Sequence, residues 1–326
     1  MDPEVELAED NPPPARRGLI GFLRRAWPWL VGIAILAVIV ARVPVASFRD
    51  AMTHGPHHWL AAVNLAIIAV FLVTDGVATW IGLIAVRLRR PLFDVVVVRG
   101  AIYLLFLVNY ALGQGGFGYY LHRTGAPIKQ AVGATLFLMG TNLAVLLLLT
   151  SGAWAVVGGG VPAALWWTLT VGSAGFAAYL VVVALSPGFL VRRDWLAPLF
   201  DAGVRGHAIA MVGRVPHVFF LAFSQWLAMR VWGIDVPLSA ALTIAPAIAI
   251  AAALPISPGG LGTTQAAFVY LFSDYAAGAT VDERQAVVLA FSIVQFVYGA
   301  LASAVVGLAC IPLARRTGAL PRPATS

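Results

Sequence analysis

Long blocks of apolar residues, separated by short polar stretches, follow one another along almost the whole chain. The blocks are Trp27–Val43, Trp59–Val86, Val95–Leu112, Gln130–Thr150, Ala163–Ser186, Val215–Gly233, Leu238–Pro255, Leu261–Tyr275 and Gln285–Leu313. A helix needs about 20 apolar residues to cross a bilayer. The pattern therefore predicts an all-α polytopic membrane protein.

Composition agrees with this pattern and excludes a water-soluble globule. Hydrophobic residues make up 60% of the chain and charged residues 11%, whereas soluble proteins have about 25% charged residues. The net charge of +7 comes from arginines grouped beside apolar blocks, which is how membrane proteins set their orientation. We therefore expect no nucleic-acid partner.

The positive charges also limit how many blocks can cross the membrane. If every block crossed, His122, Arg123 and Lys129 would lie outside. If Val95–Leu112 and Leu238–Tyr275 each turn back at their glycines, about six full spans and two re-entrant hairpins remain. The positive charges left outside are then Arg42, Arg49, Arg230 and Arg284. We expect a multi-pass protein of the cytoplasmic (inner) membrane with both termini cytoplasmic.

This topology predicts an inverted-topology repeat with halves at about 26–151 and 163–313. In transporters, discontinuous helices at corresponding positions of such halves indicate the substrate site. The membrane domain then covers 26–313, between cytoplasmic tails at 1–25 and 314–326. The segment 196–213, between the halves, mixes charged and apolar residues and is expected to lie along the inner surface.

The stretch ALGQGGFGYY contains Gly113, Gly115 and Gly118 in the spacing of a dinucleotide-binding loop. A soluble strand before the loop and an acid about 20 residues later are missing, so we expect no cofactor. The glycines instead predict a helix break whose free N–H groups, near Gly116–Gly118, attract an anion. The segment Ser257–Thr264 predicts a second such break. Packing glycines are the alternative interpretation.

Two motifs resemble a known family. PISPGGLGTTQAAFVYLF and VNYALGQGGFGYYLHRTGAPIKQA resemble motifs of the lysylphosphatidylglycerol-synthase transmembrane, or flippase-like, family, and the resemblance covers roughly 25–312. It implies movement or presentation of a lipid headgroup across the bilayer. Gly116 and Tyr119 stand where the family typically has Arg and Glu, and Gln265 replaces the Glu after the second break.

From these features we expect the protein to bind and translocate a lipid with an anionic or phosphate-containing headgroup. The predicted substrate-binding residues flank the two breaks: Asn109, Gly115, Gly116, Gly118, Tyr119, Ser257, Gly259, Gly260, Gly262, Thr263 and Gln265. The alternative is a non-transporting scaffold or accessory subunit of a lipid or glycolipid biosynthesis enzyme.

An acidic residue, Asp75, lies near the centre of an apolar block. A lone acid there costs about 2.5–3.5 kcal/mol on insertion, so it should face the protein interior with a partner. Arg99, Arg214 and Arg230 are the candidate charge partners. A proton or ion relay and a structural ion pair both remain open for Asp75.

Catalysis is not expected. The apolar blocks contain no paired carboxylates and no hydrolase, metalloprotease or P-loop motif. His54, His57 and His58 precede a block in a short loop without a nearby acid or thiol to complete a metal site. We therefore predict neither catalytic nor metal-binding residues, and a lipid-modifying enzyme is the weaker class.

Overall fold

The computed structural model describes residue 27 and residues 29–157, 163–253, 257, 260–316, 318 and 320. These residues form helices and no strand, which confirms the all-α prediction. The helices are α1 Trp29–Val40, α2 Val45–His54, α3 His57–Ala85, α4 Leu92–Ala101, α5 Tyr103–Val108, α6 Tyr110–Arg123, α7 Ile128–Val157, α8 Ala163–Leu185, α9 Gly188–Val191, α10 Ala197–Trp232, α11 Leu238–Ala253, α12 Thr263–Phe272 and α13 Val281–Arg316, with a 3₁₀ turn at Ser273–Tyr275.

Five of these helices (α3, α7, α8, α10 and α13) are long and apolar enough to cross a membrane. α1 and α2 form a sixth span if they count as one helix bent by 107°. The bend lies between Val40 and Val45, where Pro44 disfavours helical backbone at Val43. Exposed apolar side chains such as Val171, Leu185 and Leu308 suit contact with lipid. The protein is thus a multi-pass membrane protein, while the repeat stays a prediction.

The first helix break lies at Asn109 and not at the glycines. Asn109 has extended backbone (φ −166°, ψ 140°), and its Oδ1 accepts a hydrogen bond from the N–H of Ala111 at 2.7 Å. It therefore caps α6, and the segment 115–118 is helical. A Cβ at Gly113 would overlap the Phe106 ring, so this glycine lets α6 pack back along α5. The prediction of a turn at these glycines was wrong because asparagine caps the helix.

The second break does lie at glycines. Gly260 and Gly262 have φ of 77° and 83°, a region that favours glycine. The Gln265 side chain accepts a hydrogen bond from the N–H of Gly262 at 2.6 Å. A Cβ at Gly262 would overlap the carbonyl oxygen of Gly32 on α1. This break is therefore fixed by glycine backbone and by close packing on α1.

α10 packs along α3 over most of its length. Its backbone is non-helical only at Gly203 (φ 57°, ψ −177°), so 204–213 continues into the span. The separate surface segment predicted for 196–213 is therefore wrong beyond the kink. Gly206 faces the carbonyl oxygen of Ala85, and Gly213 faces Ile81. These two glycines, seven residues apart, allow the helices to approach closely in antiparallel directions.

The loops gather at two opposite ends of the helices. At one end, Lys129 forms an ion pair with Asp194. At the other end, the N–H of Asp235 donates to the carbonyl of Tyr275 at 2.9 Å. Which end faces the cytoplasm stays a prediction.

Candidate functional site

A cavity of about 460 Å³ lies between the helices, within the size range of small-molecule sites. Residues from α3 to α7 and from α10 to α13 line it. About half of the lining residues are aliphatic or aromatic. The polar side chains comprise a charged cluster, a group of amides and several hydroxyls.

The charged cluster is centred on Asp75. Its Oδ2 lies 2.6 Å from Nε of Arg99, and its Oδ1 lies 2.7 Å from Nη1 of Arg214. The three residues are only 2%, 7% and 5% exposed, respectively. One carboxylate is therefore shared by two guanidinium groups at a buried site.

Neighbouring side chains hold the two arginines in place. Nη2 of Arg214 donates to Oγ1 of Thr79 at 3.3 Å. The guanidinium carbon of Arg99 lies 5.2 Å from the ring centroid of Phe106 and 5.5 Å from that of Phe117, within cation–π range. Each arginine is thus oriented by contacts beyond its ion pair.

His217 also approaches the cluster. Its Nε2 lies 4.0 Å from Oδ1 of Asp75, and its Nδ1 lies 3.2 Å from Oγ1 of Thr74. The Phe71 ring packs against the imidazole, with the centroids 4.4 Å apart. The histidine therefore borders the carboxylate without forming a close ion pair with it.

Glycines explain why helices carrying charges can meet here. A Cβ at Gly76, next to Asp75, would overlap Val96 of α4, and one at Gly100 would overlap Cys310 of α13. Small residues allow α3, α4 and α13 to pack closely in the membrane. Close packing of α3 on α4 places Arg99 beside Asp75.

The cluster carries an excess positive charge. Two guanidinium groups and one carboxylate leave a net charge of about +1 at neutral pH. Charged side chains within membrane spans are costly, and they mark substrate or ion pathways. An anionic group would neutralise this excess charge, so the cluster is suited to bind one.

A group of amide side chains lines a second level of the cavity, displaced along the helix axes from the charged cluster. Asn64 Nδ2 donates to Oε1 of Gln295 at 2.9 Å, and Nε2 of Gln295 donates back to Oδ1 of Asn64 at 3.2 Å. Asn64 precedes Asp75 by eleven positions on α3, and Gln225 follows Arg214 by eleven on α10. At a rise of 1.5 Å per residue, the two levels are ~16 Å apart.

Three polar groups lining the cavity have no hydrogen-bond partner among the described residues. They are the hydroxyl of Tyr103 and the Oε1 atoms of Gln114 and Gln225. Buried polar groups are normally hydrogen-bonded. These atoms are therefore available to a bound molecule.

Some residues predicted from the sequence do meet in this cavity. Asp75, Arg99, Arg214 and Gln265 all line it. Arg99 and Arg214 are both buried between helices and are not surface charges. Arg230 pairs with Asp235, so it was wrongly considered as a partner of Asp75.

The predicted residues at the breaks lie mostly elsewhere. The cavity-lining residues do not include Asn109, Gly115, Gly116, Gly118, Tyr119, Ser257, Gly260, Gly262 or Thr263. Tyr119 is 53% exposed. The N–H groups of Gly116 and Gly118 lie inside α6 and not at its start, so the anion pole predicted there was wrong. Gly259 lies outside the described residues.

Several lining residues were not predicted from the sequence, among them Asn64, Thr79, Tyr103, Gln114 and His217. Helical spacing could have found some of them. Thr79 follows Asp75 by four positions and His217 follows Arg214 by three, so each pair shares a helix face. The stripe of polar residues on otherwise apolar helices was the available signal.

A family model for the lysylphosphatidylglycerol synthase TM region matches residues 29–303, a range that includes the whole cavity lining. No curated protein matches the chain. The matched range covers most of the sequence, and the chain therefore belongs to the lysylphosphatidylglycerol synthase transmembrane-region family.

Proposed function

We propose that this protein binds a lipid with an anionic, phosphate-containing headgroup in the central cavity and translocates it across the membrane. The observation that carries the proposal is the buried cluster of Asp75, Arg99 and Arg214, with two cations for one anion. A headgroup phosphate would supply the missing negative charge. No catalytic step is part of the proposal.

Arginine suits this role because its guanidinium offers five N–H donors in a planar fork that fits phosphate. Asp75 accepts one hydrogen bond from Arg99 and one from Arg214. The remaining donors can serve a phosphate. Asp75 then holds both guanidinium groups in position before the lipid arrives, which lowers the cost of organising the site.

The ends of two helices add to the positive potential. Tyr110 and Gln114 of the first turns of α6 line the cavity, and so do Thr264 and Gln265 of the first turn of α12. N-terminal helix turns favour anions. Paired broken helices of this kind border the substrate site in several transporter folds, which supports movement of the headgroup past this point.

Translocation can be measured with the purified full chain in phosphatidylcholine liposomes containing a trace of fluorescent phosphatidylglycerol. Membrane-impermeant dithionite bleaches only lipid in the outer leaflet, so protein-dependent bleaching of the inner pool reports transfer. We expect transfer with the native chain and its loss in Arg99→Gln and Arg214→Gln. Arg230→Gln, in an exposed ion pair, is the matched control.

Two other outcomes have definite meanings. If Arg99→Gln and Arg214→Gln transfer lipid as fast as Arg230→Gln, the cluster is not the headgroup site and the proposal fails. If the native chain binds anionic lipid but transfers none, translocation is excluded. The result would then favour the scaffold or accessory-subunit alternative.

A further inference from the structure

We infer that the lipid carries an uncharged, hydroxyl-rich group, a polyol or sugar, on its phosphate, and not an amine. The inference rests on the proposed function and specifies its substrate class. It follows from the polar chemistry of the cavity away from the phosphate-binding cluster.

The lining, as far as the structure describes it, offers no free carboxylate that could receive an amine. Of the described residues that line the cavity, Asp75 is the only acidic one. Both its oxygens already accept hydrogen bonds from arginine. An ethanolamine headgroup would bring an ammonium group beside two guanidinium groups, and like charges repel strongly where water is excluded. A longer aminoacyl headgroup would bring its ammonium group into a lining whose described residues offer no free carboxylate to receive it.

The neutral polar groups favour hydroxyls. The lining contains amides on six helices: Asn64, Gln114, Asn142, Gln225, Gln265 and Gln295. An amide both donates and accepts hydrogen bonds, as does a hydroxyl. The Oε1 atoms of Gln114 and Gln225 lack a donor among the described residues. A phosphate oxygen cannot supply that donor, whereas a hydroxyl can.

The positions of these groups suit a headgroup that extends from the phosphate. Tyr103, whose hydroxyl is also unpartnered, follows Arg99 by one helical turn. Gln225 lies on α10 about 16 Å from the level of Arg214. A phosphate at the arginines would therefore place its substituent beside Tyr103 and direct a larger glycosyl group toward the amide level.

Native mass spectrometry of the purified full chain, titrated with one lipid at a time, tests this inference. The series is phosphatidylinositol, phosphatidylglycerol, phosphatidic acid, lysylphosphatidylglycerol, phosphatidylethanolamine and phosphatidylcholine. We expect phosphatidylinositol and phosphatidylglycerol to bind about tenfold more tightly than phosphatidic acid or the two amine lipids. This preference corresponds to one or two hydrogen bonds made by the hydroxyls.

Variants identify which groups make that preference. Gln114→Leu should weaken phosphatidylinositol binding about fivefold and leave phosphatidic acid binding unchanged, and Gln225→Leu should weaken only the binding of a phosphatidylinositol that carries a further sugar. Gln130→Leu, at an amide outside the cavity lining, should change neither. A fold defect would weaken all lipids together, so the ratio between the two lipids separates lost recognition from lost folding.

Each contrary result separates this inference from the proposed function. Tightest binding of lysylphosphatidylglycerol, or equal binding of phosphatidic acid with no effect of the amide variants, overturns the polyol inference and leaves the anionic-lipid proposal standing. No preference for any anionic lipid over phosphatidylcholine overturns both. Displacement of phosphatidylglycerol by an equal concentration of sn-glycerol 3-phosphate reassigns the ligand to a water-soluble phosphate and also overturns both.

Discussion

Nη1 of Arg214 lies 2.7 Å from Oδ1 of Asp75, although 139 residues separate them along the chain. The pair joins α10 to α3 at the level where Arg99 of α4 contacts the other carboxylate oxygen. Among the residues that the structure describes, Asp75 alone forms an ion pair with both buried arginines. Both the stability of the helix packing and the charge of the cavity depend on it.

Changing Asp75→Asn should destabilise the protein. The substitution keeps the shape of the side chain and leaves Arg99 and Arg214 buried without a counter-ion. Removing one partner of a buried ion pair costs about 3–5 kcal/mol. We expect a clear fall in the thermal unfolding temperature of the detergent-solubilised protein, followed by size-exclusion fluorescence.

Asp235→Asn is the control for that measurement. Asp235 pairs with Arg230 on an exposed surface, where an ion pair contributes about 0–1 kcal/mol. Its unfolding temperature should stay close to that of the native chain. A folded Asp75→Asn protein as stable as the control, but unable to transfer lipid, would instead favour the relay interpretation of Asp75.

The double variant Asp75→Asn with Arg214→Gln tests the charge balance. Arg214→Gln alone leaves Asp75 and Arg99, with no net charge, and should lose anionic-lipid binding. The double variant restores a net charge of about +1 through Arg99, so it should bind phosphatidylglycerol better than Arg214→Gln. It should also be more stable than the sum of the two single changes predicts, by about 0.5–3 kcal/mol.

Strict additivity of stability in that cycle would show that the two residues act independently. Binding no better than in Arg214→Gln would show that the geometry of the pair, and not its charge, creates the site. Arg214→Lys separates these effects further. Lysine keeps the charge but cannot contact Asp75 and Thr79 with the planar fork that arginine uses.

The fold class could be predicted because the bilayer imposes it. Apolar blocks such as Trp59–Val86 predict α3 directly, since only helices and closed barrels satisfy the backbone there. The arginines that pair with Asp75 could not be predicted in the same way. Arg99, Arg214 and Arg230 all border or interrupt apolar blocks, and only the antiparallel packing of α10 on α3 brings Arg214 to Asp75 and leaves Arg230 near the helix end.

The structural role of each glycine could not be predicted from the sequence either. Glycine permits both a sharp turn and close helix packing, and the sequence alone does not distinguish the two uses. Gly260 and Gly262 have positive φ, whereas Gly116 lies within a regular helix and packs against Leu105. Asn109 carried the stronger signal for the first break, because asparagine is a preferred N-cap residue.

Alanine substitutions distinguish these two kinds of glycine. Gly262→Ala should destabilise the protein strongly, since φ of 83° is unfavourable for alanine and its Cβ would overlap the backbone of Gly32. The cost of the backbone strain alone is about 1–3 kcal/mol. Gly115→Ala meets no atom within 4 Å and should stabilise α6 by up to about 1 kcal/mol.

Thermal unfolding of both alanine variants measures the difference, and lipid binding adds a second comparison. Gly115→Ala should bind phosphatidylglycerol like the native chain, because position 115 does not line the cavity. Loss of binding in a stable Gly115→Ala protein would restore the first glycine motif as part of the site. Equal stability of the two variants would contradict the turned backbone at Gly262.

The orientation of the protein is the last expected outcome. Leu121 and Ala126 pack in one buried cluster with Ala314 near the end of α13, whereas Ala286 near its start belongs to another. Arg123 and Asp282 therefore lie toward opposite ends of the helices. Most arginines lie at the same end as Arg123, so this end should face the cytoplasm.

In a Cys310→Ala background, which removes the one native thiol, an impermeant maleimide applied to whole cells should label Asp282→Cys and spare Arg123→Cys until the cells are lysed. Labelling of Arg123→Cys in intact cells, with Asp282→Cys protected, would reverse the orientation and with it the leaflet from which a lipid enters the cavity.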